Sequence, residues 1–568
     1  MRLFSPFRKT KYWVVFAVIV ILFVAVYKVP TVRDIWHKFG INRMTYASSF
    51  GQDGYVKSAT YFADEWPVNF WNSDTDTLHS DMKKIRSDGF DSIILVVPWR
   101  EFQPTIDPVS YNEYAFNKLN MIMQVAAAEQ LGVYLRIGYT WDFFNDSDDA
   151  IEKRFINVFW DEVTQNAWKQ YVSELYNCVK KHDNFKGAFL TWEDFPLMGI
   201  VYGDEDLRKQ YAEKLGYRIW LKDNCSLQDY NSKFFTNHKT YDDIFIPKST
   251  EPSVKEYYRF SDHLQMSLLE QTQNIFPNIS MEVRLDEDLI VYPDKKEEWF
   301  RHTQTYPCGK ADYTAVMYGI PMGFVNSGEK VTAEQALKKT GEILYKLKTQ
   351  NEGKPIYVEQ FLFADNTPGF SHNAQVKENE LSLYLQNVDD VLRLCSAGYG
   401  IWTYKNYRVN LIYNPGFYLS QQGWEGIGSP EYKRIADNGV CVLKAGSGLK
   451  QILPASRMYH FADETYISSC VFSMDVVDCH EKSSVAVTVG SVTKVVDFSA
   501  ATRVEIQFPK QDNMDVQIKA VTGEFCIDNV RLFSYVQNGN LYDEFGHELK
   551  HAEDIRILNR KLSHNQKR

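Results

Sequence analysis

Residues 185–195, with the sequence FKGAFLTWEDF, decide which fold this chain can adopt. Residues 187–190 are apolar and uncharged, as is typical of a short strand buried on both faces. The apolar run ends abruptly at Trp192, Glu193 and Asp194. A barrel of parallel strands presents its chemical groups in this way, at the carboxyl end of a buried strand. The stretch therefore predicts a barrel strand that carries a carboxylate and an indole.

A second stretch has the same form. Residues 355–358 (PIYV) lead directly into Glu359, which is followed by Gln360 and Phe361. We interpret the chain as a scaffold that brings Glu193 and Glu359 to one place.

Apolar segments of this kind alternate with helix-forming sequence from residue 56 onward. The predicted strands are 57–62, 92–97, 133–137, 187–190, 280–284, 313–317, 355–359 and 400–404. Eight buried strands separated by helices fit a closed (β/α)₈ TIM barrel, and the alternative is an open doubly wound sheet. No GxGxxG or GxxxxGK[ST] motif occurs, so nucleotide binding has no support.

The length of the chain indicates how many domains to expect, and its net charge limits the kinds of partner it can bind. A chain of 568 residues exceeds one ordinary core, so we expect two domains and additional ends. The net charge of −10 argues against a nucleic-acid partner, because there is no basic surplus to neutralise phosphates. The histidines show no metal-binding spacing and no cofactor motif occurs, so we expect neither a metal nor a cofactor.

The N-terminal region predicts a membrane anchor. Residues 14–26 (VVFAVIVILFVAV) are unbroken apolar sequence, and the basic residues before them place the N-terminus inside. The rival is a cleaved signal peptide, but no small-x-small site follows the run. We therefore predict a cytoplasmic tail and single-pass anchor (1–30), a tether (31–55) and an extracytoplasmic bulk.

The rest of the chain divides at a change of pattern. We assign residues 56–425 to the barrel and 426–537, where apolar and polar residues alternate, to an all-β sandwich. Residues 538–568 are polar and predict a flexible tail or a surface helix. Eight cysteines occur without a CxxC pair; Cys470 with Cys479 is the expected local bridge if any forms, and buried free thiols are the alternative.

Two carboxylates suit glycoside hydrolysis. One protonates the leaving oxygen, and in the retaining mechanism the other attacks the anomeric carbon from about 5–5.5 Å away. Strands four and seven face each other across a barrel, so we predict Glu193 as acid/base and Glu359 as nucleophile. Trp192 beside Glu193 would limit its hydration and raise its pKa.

Other polar and aromatic residues at strand ends are candidates for binding the substrate. We expect Tyr318 to hydrogen-bond Glu359, Trp402 to floor the sugar site, and the arginines to contact hydroxyls or carboxylates. The predicted set is Trp99, Arg100, Arg136, Trp141, Trp192, Tyr318 and Trp402.

The barrel resembles clan A glycoside hydrolases, whose acid/base ends strand four and whose nucleophile ends strand seven. Residues 97–120 (VPWREFQPTIDPVSYNEYAFNKLN) resemble the segment after strand two of β-galactosidase-like members, with Gln103-Pro104 where Glu-Pro is usual. Residues 216–247 resemble an insertion after strand four in microbial β-galactosidases of family 42. Residues 525–533 (FCIDNVRLF) resemble the last strand of carbohydrate-binding jelly rolls, so the C-terminal domain is expected to bind sugar or to pack on the barrel.

One position departs from the clan pattern. Clan A usually has Asn before the acid/base, where it contacts the sugar 2-hydroxyl, and this chain has Trp192. The prediction is a membrane-anchored, extracytoplasmic retaining β-glycosidase acting on a poly- or oligosaccharide. The alternatives are a non-catalytic glycan-binding barrel, which the tryptophan motivates, and a transglycosylase on the same scaffold.

Overall fold

The computed structural model describes residues 50–73, 77–139, 150–191, 195–285, 287–322, 324, 328–364, 373–435, 438–453, 469–537 and 539–563. Its centre is a closed barrel of eight parallel strands, each paired with its neighbours in sequence. The strands are β1 (Val56–Thr60), β2 (Ser92–Val97), β3 (Gly132–Ile137), β4 (Phe185–Leu190), β5 (Ser280–Val283), β6 (Thr314–Gly319), β7 (Ile356–Leu362) and β8 (Gly398–Ile401). Pairing of β1 with β8, in register Val56 to Gly398, closes the ring. The predicted barrel is confirmed, and the open sheet is excluded.

The predicted strands overlap all eight observed ones, but some ends differ by more than two residues. Strand β7 continues three residues past its predicted end, to Leu362, and β8 begins two residues earlier than expected and ends three residues earlier, at Ile401. The β8 ladder stops at Ile401, and the residues beyond it bond both to the end of β1 and to the C-terminal segment. The Tyr404 amide donates to the Thr60 carbonyl, and the Asn540 amide donates to the Thr403 carbonyl.

Helices cover the outside of the barrel. They are α1 (Pro67–Phe70), α2 (Leu78–Ser87), α3 (Trp99–Phe102), α4 (Glu113–Ala128), α5 (Ile151–Asn157), α6 (Glu162–Val179), α7 (Phe195–Gly199), α8 (Glu205–Lys214), α9 (Tyr217–Asn224), α10 (Leu227–Phe234), α11 (Val254–Gln273), α12 (Ala333–Gln350), α13 (Leu381–Cys395) and α14 (Ala552–Ser563). Three of the long helices begin at a side chain that accepts from a first-turn amide: Asn112 caps α4, Asp161 caps α6 and Thr332 caps α12.

Two additions follow β4 and β5. Helices α7 to α11 form an insertion with a hydrophobic core of its own. An antiparallel hairpin, Glu287–Val291 with Glu297–Arg301, follows β5 and packs Ile290 and Phe300 into that same core.

The barrel interior has an apolar layer below a polar one. The lower layer is an aromatic cluster that includes Tyr134, Phe189, Tyr313 and Tyr357, with Phe50 stacked on the Tyr313 ring at 4.8 Å. The next inward positions along β3, β5 and β7 are polar. Chemistry in this barrel is therefore confined to the carboxyl ends of its strands.

The C-terminal region consists of two antiparallel sheets. The strands are β9 (Tyr407–Asn410), β10 (Glu425–Ile427), β11 (Glu431–Ile435), β12 (Asn438–Lys444), β13 (Gly448–Gln451), β14 (Ser469–Cys479), β15 (Ser483–Val489), β16 (Val492–Phe498), β17 (Thr502–Pro509), β18 (Val516–Thr522) and β19 (Glu524–Gln537). One sheet has the order β11-β12-β19-β14-β17, and the other has the order β10-β13-β18-β15-β16. Strand β9 also pairs with β19. The C-terminal sheets therefore include a strand that precedes residue 426, the predicted start of the sandwich. Jelly-roll character stays a prediction.

The end of the chain returns to the barrel. On one side of α14, Ser382 and Gln386 of α13 donate to Asp554. On the other side, Asn559 donates to the Asp88 carbonyl at the end of α2. Helix α14 thus lies between α13 and α2, where the helix following β8 belongs. Of the two predicted forms of the tail, the surface helix is the observed one, and it completes the barrel wall.

The structure also decides the cysteine question for the predicted pair. Cys470 and Cys479 lie at opposite ends of the single strand β14. Nine residues of extended strand span about 30 Å, far beyond the reach of a disulfide, so the predicted local bridge is wrong. None of the eight cysteines, all of which lie in the described ranges, forms a disulfide.

No helix within the described ranges is long and apolar enough to cross a membrane. The predicted anchor, residues 14–26, lies outside those ranges.

Candidate functional site

Glu359 lies at an irregularity in β7. Val358 pairs with Val316 of β6 while Gln360 pairs with Met317, so β7 carries one extra residue at Glu359. Such a β-bulge changes the direction of the side chains that follow it. Glu359 is 1% exposed. Burial raises the pKa of the Tyr357 hydroxyl, and the neighbouring Tyr134 and the Glu359 charge raise it further. The Glu359 carboxylate therefore lies close to Tyr357, a member of the aromatic layer.

The bulge depends on a close approach between two backbones. A Cβ atom on Gly400 of β8 would lie 2.6 Å from the Glu359 carbonyl oxygen and 2.7 Å from Ile94 Cδ1. Only glycine leaves room for the bulged strand at this point.

Arg136 of β3 holds the next residue of the bulge. Its Nη1 donates to Gln360 Oε1 at 2.7 Å, and its Nε donates to Thr191 Oγ1 at 2.9 Å. Its Nη2 forms an ion pair with Glu282 Oε2 at 3.1 Å, and the Thr191 hydroxyl lies 3.4 Å from the same oxygen. Four strand ends, those of β3, β4, β5 and β7, therefore meet at one guanidinium, and both members of the ion pair are buried.

Aromatic rings border this network. The Arg136 guanidinium lies 5.5 Å from the centre of the Trp402 ring and 6.0 Å from that of Tyr139. Trp402, just beyond β8, is partly exposed and also packs on Phe62. It presents an aromatic surface beside Arg136, where the sequence analysis expected the floor of a sugar site.

Three predicted site residues, Trp141, Trp192 and Glu193, lie outside the described residues. Thr191 is described and comes two positions before Glu193. Because the Thr191 hydroxyl accepts from Arg136, the chain contacts the Arg136 network two residues before the predicted acid/base.

Trp99 has a packing position instead of a substrate-facing one. It is fully buried on α3, its indole Nε1 donates to Gln103 Oε1 at 2.7 Å, and its ring packs on Trp168 and Tyr171. No indole surface remains for a sugar. Arg100, on the same short helix, is also buried.

Tyr318 does not make the predicted hydrogen bond to Glu359. Strand alternation directs its side chain out of the barrel, where its hydroxyl pairs with Thr340 Oγ1 of α12 at 2.7 Å. Its ring stacks on Phe361, the outward neighbour on β7.

Glu282 and Gln360 belong to this network but are not in the predicted set of site residues. A charged residue inside the short strand Ser280–Val283 was the available signal for Glu282, because a carboxylate at an inward position requires a partner. For Gln360 no signal existed, because an ordinary strand would point it away from Glu359.

A second buried polar cluster joins the insertion, the hairpin and β5. His302 Nδ1 lies 2.7 Å from Asp262 Oδ1 of α11, and its Nε2 lies 2.9 Å from Asp288 Oδ2 of the hairpin. Arg284, just after β5, lies 3.2 Å from Asp288 Oδ1 and 3.3 Å from His302 Nε2. Burial opposes protonation of His302, but the two carboxylates outweigh it and raise the pKa of the imidazole to about 9. Throughout the described ranges, no three His, Cys, Asp or Glu side chains are placed to hold a metal ion.

Comparisons with known proteins add little to this geometry. No protein-family model matches the chain, and no curated protein matches it. Among solved structures, GH5_18 from Streptomyces cattleya in complex with GlcNAc is 13% identical, with 62% of this chain and 71% of that chain covered and a TM-score of 0.38. The exo-beta-1,4-mannosidase Op5Man5 from Opitutaceae bacterium strain TAV5 is 14% identical over 62% of this chain and 52% of its own, with a TM-score of 0.37. The beta-glucosidase 1317 is 12% identical over 62% and 89%, with a TM-score of 0.36. These alignments are loose, so the fold assignment rests on the strand pairing described above.

Proposed function

We propose that this chain is a retaining β-glycosidase with Glu359 as nucleophile and Glu193 as acid/base. The observation that carries the proposal is the position of Glu359. It is a buried carboxylate at a bulge in β7, three residues before the strand ends, and it lies above an aromatic layer that fills the barrel below it.

The two-step reaction assigns a role to each carboxylate. Glu359 attacks the anomeric carbon while Glu193 protonates the leaving oxygen, which gives a covalent glycosyl-enzyme. Glu193 then takes a proton from water, which attacks the same carbon and releases Glu359. Trp402 supports the sugar ring in both steps.

The buried network supports this assignment by fixing the nucleophile's backbone. Arg136 binds the Gln360 side chain, and Gln360 directly follows Glu359 in the bulge. Glu282 balances the guanidinium charge, so Arg136 is held in place by ligands on both of its sides. A carboxylate on a backbone held in this way is positioned before the substrate arrives.

The membrane anchor belongs to the same proposal. Residues 14–26 hold the chain in the membrane with the barrel outside, where a glycan substrate is accessible. Protease treatment of intact cells checks this orientation: an external barrel is cleaved, whereas a barrel inside the cell is protected.

The decisive experiment uses 2-deoxy-2-fluoro glycosyl fluorides of the gluco, galacto and manno series. These probes form the glycosyl-enzyme and stall there, so incubation with the full chain in detergent should raise its intact mass by one sugar on Glu359. Glu359→Gln is the matched control and should form no adduct. An unmutated chain that is labelled at another residue would contradict the assignment of the nucleophile. A chain that binds glycans without any adduct would support the binding-only barrel.

A further inference from the structure

The hairpin after β5 exposes an apolar face. Its strands pair Leu289 directly with Trp299, and Val291 lies on the same face two residues further on. All three side chains are exposed, Trp299 at 50%. The opposite face is buried through Ile290 and Phe300. The hairpin therefore has one side in a core and an indole on its other side.

This exposed indole is on a rigid element. Asp288 bonds His302 below the hairpin, and Tyr292 donates to Glu298 Oε2 at 2.8 Å within it. Glu298 also pairs with Lys255 of α11. A ligand that stacks on Trp299 meets a surface already held in place, so little conformational entropy is lost on binding.

The position of the hairpin connects it to the candidate active site. It begins four residues after Val283, the last residue of β5, and Glu282 of that strand belongs to the Arg136 network. The stretch from Glu282 to Leu289 spans at most about 25 Å even when fully extended. On its other edge, Glu287 pairs with Lys346 of α12, the helix after β6. The hairpin thus lies on the wall of the barrel beside β5 and α12, with Leu289 within about 25 Å of Glu282 along the chain.

The charges around the exposed face are balanced. Glu287 and Arg301 form an ion pair at 2.7 Å across the hairpin, and Glu297 lies opposite Val291. With Lys346, the face has two positive and two negative neighbours, so it offers no net attraction to a polyanion or an anionic membrane. An indole flanked by hydrogen-bonding groups of both signs matches a neutral hexopyranose, which has one C–H face and a rim of hydroxyls.

We propose that Leu289, Val291 and Trp299 form a carbohydrate subsite that binds a distal unit of a neutral, β-linked oligosaccharide whose end enters the barrel. The inference rests on the proposed function for the identity of the substrate. It adds a site for a distal sugar of that substrate, because the hairpin is separate from the Glu359 centre.

The test measures binding in a chain that cannot turn the ligand over. In a Glu359→Gln background, calorimetry gives the affinities for β-1,4-linked manno- and gluco-hexaoses, a β-1,4-galactohexaose and the matching disaccharides. Trp299→Ala should lower the affinity for the bound hexaose by about tenfold relative to the disaccharide, through loss of ring stacking. Trp299→Phe should retain most of the affinity. Phe545→Ala, which removes an exposed ring in the C-terminal segment, is the control and should change neither affinity.

Three outcomes would overturn the proposal. They are hexaose affinity that is unchanged in Trp299→Ala, failure of the Trp299 chain to bind any hexaose, and self-association that light scattering shows to depend on Trp299. The hydrolase proposal fails separately: Trp299-dependent hexaose binding without a fluoro-sugar adduct on the unmutated chain would remove the catalytic assignment and leave the subsite.

Discussion

At the scale of single residues, Arg136 shows how a buried charge organises the candidate site. Its guanidinium is almost fully buried and contacts Thr191, Glu282 and Gln360, which come from three other strands. Arginine suits this position because its planar fork donates in several fixed directions at once, which a lysine ammonium does not do.

Removing one member of the buried ion pair should cost more than removing both. Arg136→Met leaves the Glu282 carboxylate buried without its counter-charge, and we expect the free energy of unfolding to fall by about 3–5 kcal/mol. The double variant Arg136→Met/Glu282→Leu should be less destabilised than Arg136→Met. Urea unfolding of the unmutated chain, both single variants and the double variant gives the comparison, and a double loss equal to the sum of the two single losses would show that the pair is not coupled.

Gly400 is a second residue whose size affects the candidate site directly, because it faces the bulge at Glu359. Gly400→Ala places a methyl group against the Glu359 carbonyl, where backbone cannot move cheaply, and should destabilise the chain by about 1–3 kcal/mol. It should also slow labelling of Glu359 by the fluoro-sugar, because the bulge shifts. The matched control is Gly341→Ala in α12, where the nearest atom lies 3.8 Å from the new Cβ. That change should stabilise the helix by up to about 1 kcal/mol.

At the scale of elements, ionisable side chains of α11, the hairpin and the end of β5 hold the hairpin after β5 in position. His302 lies between Asp262 of α11 and Asp288 of the hairpin, and Arg284 approaches from the end of β5. The imidazolium form satisfies both carboxylates, so the fastening depends on the protonation of one histidine.

This dependence predicts how stability varies with pH. The pKa of His302 is raised from 6.5 in the unfolded chain to about 9 in the folded one. Its contribution to stability is therefore fully present below pH 6.5 and is lost as the pH rises through 9. The free energy of unfolding should decline over this range, and His302→Gln should flatten the decline. An identical slope in both chains, measured by urea unfolding from pH 6 to pH 10, would refute the role of His302.

At the scale of the whole molecule, the barrel is completed by the last described helix of the chain. The β-sheets at residues 407–537 come between β8 and α14, which fills the gap between α13 and α2. The barrel and the C-terminal sheets are therefore coupled, because the chain must pass through the sheets before it can close the barrel wall.

Leu558 tests how much the packing of α14 stabilises the barrel. It is fully buried on α14, and Leu558→Ala should lower the free energy of unfolding by about 2–5 kcal/mol through lost burial and a cavity. Leu383→Ala on α13, where the side chain is exposed, is the control and should change the stability by less than about 0.5 kcal/mol. Equal small effects would mean that α14 contributes little to the barrel.

The sequence by itself determined the number, order and approximate ends of the eight barrel strands. Strands buried on both faces are continuous apolar runs, and that signal is local along the chain. It also placed Glu359 on strand seven, because the switch from apolar to polar sequence is local as well, but the strand continues to Leu362 and does not end at Glu359.

Only the tertiary structure decided which side chains meet. The pairing of Arg136 with Glu282, the His302 cluster and the return of α14 each join residues far apart in sequence. The bulge at Glu359 turned Gln360 into the barrel, and strand alternation turned Tyr318 out of it. Side-chain direction follows register, and register is set by pairing between strands, so no local pattern in this sequence carried that information.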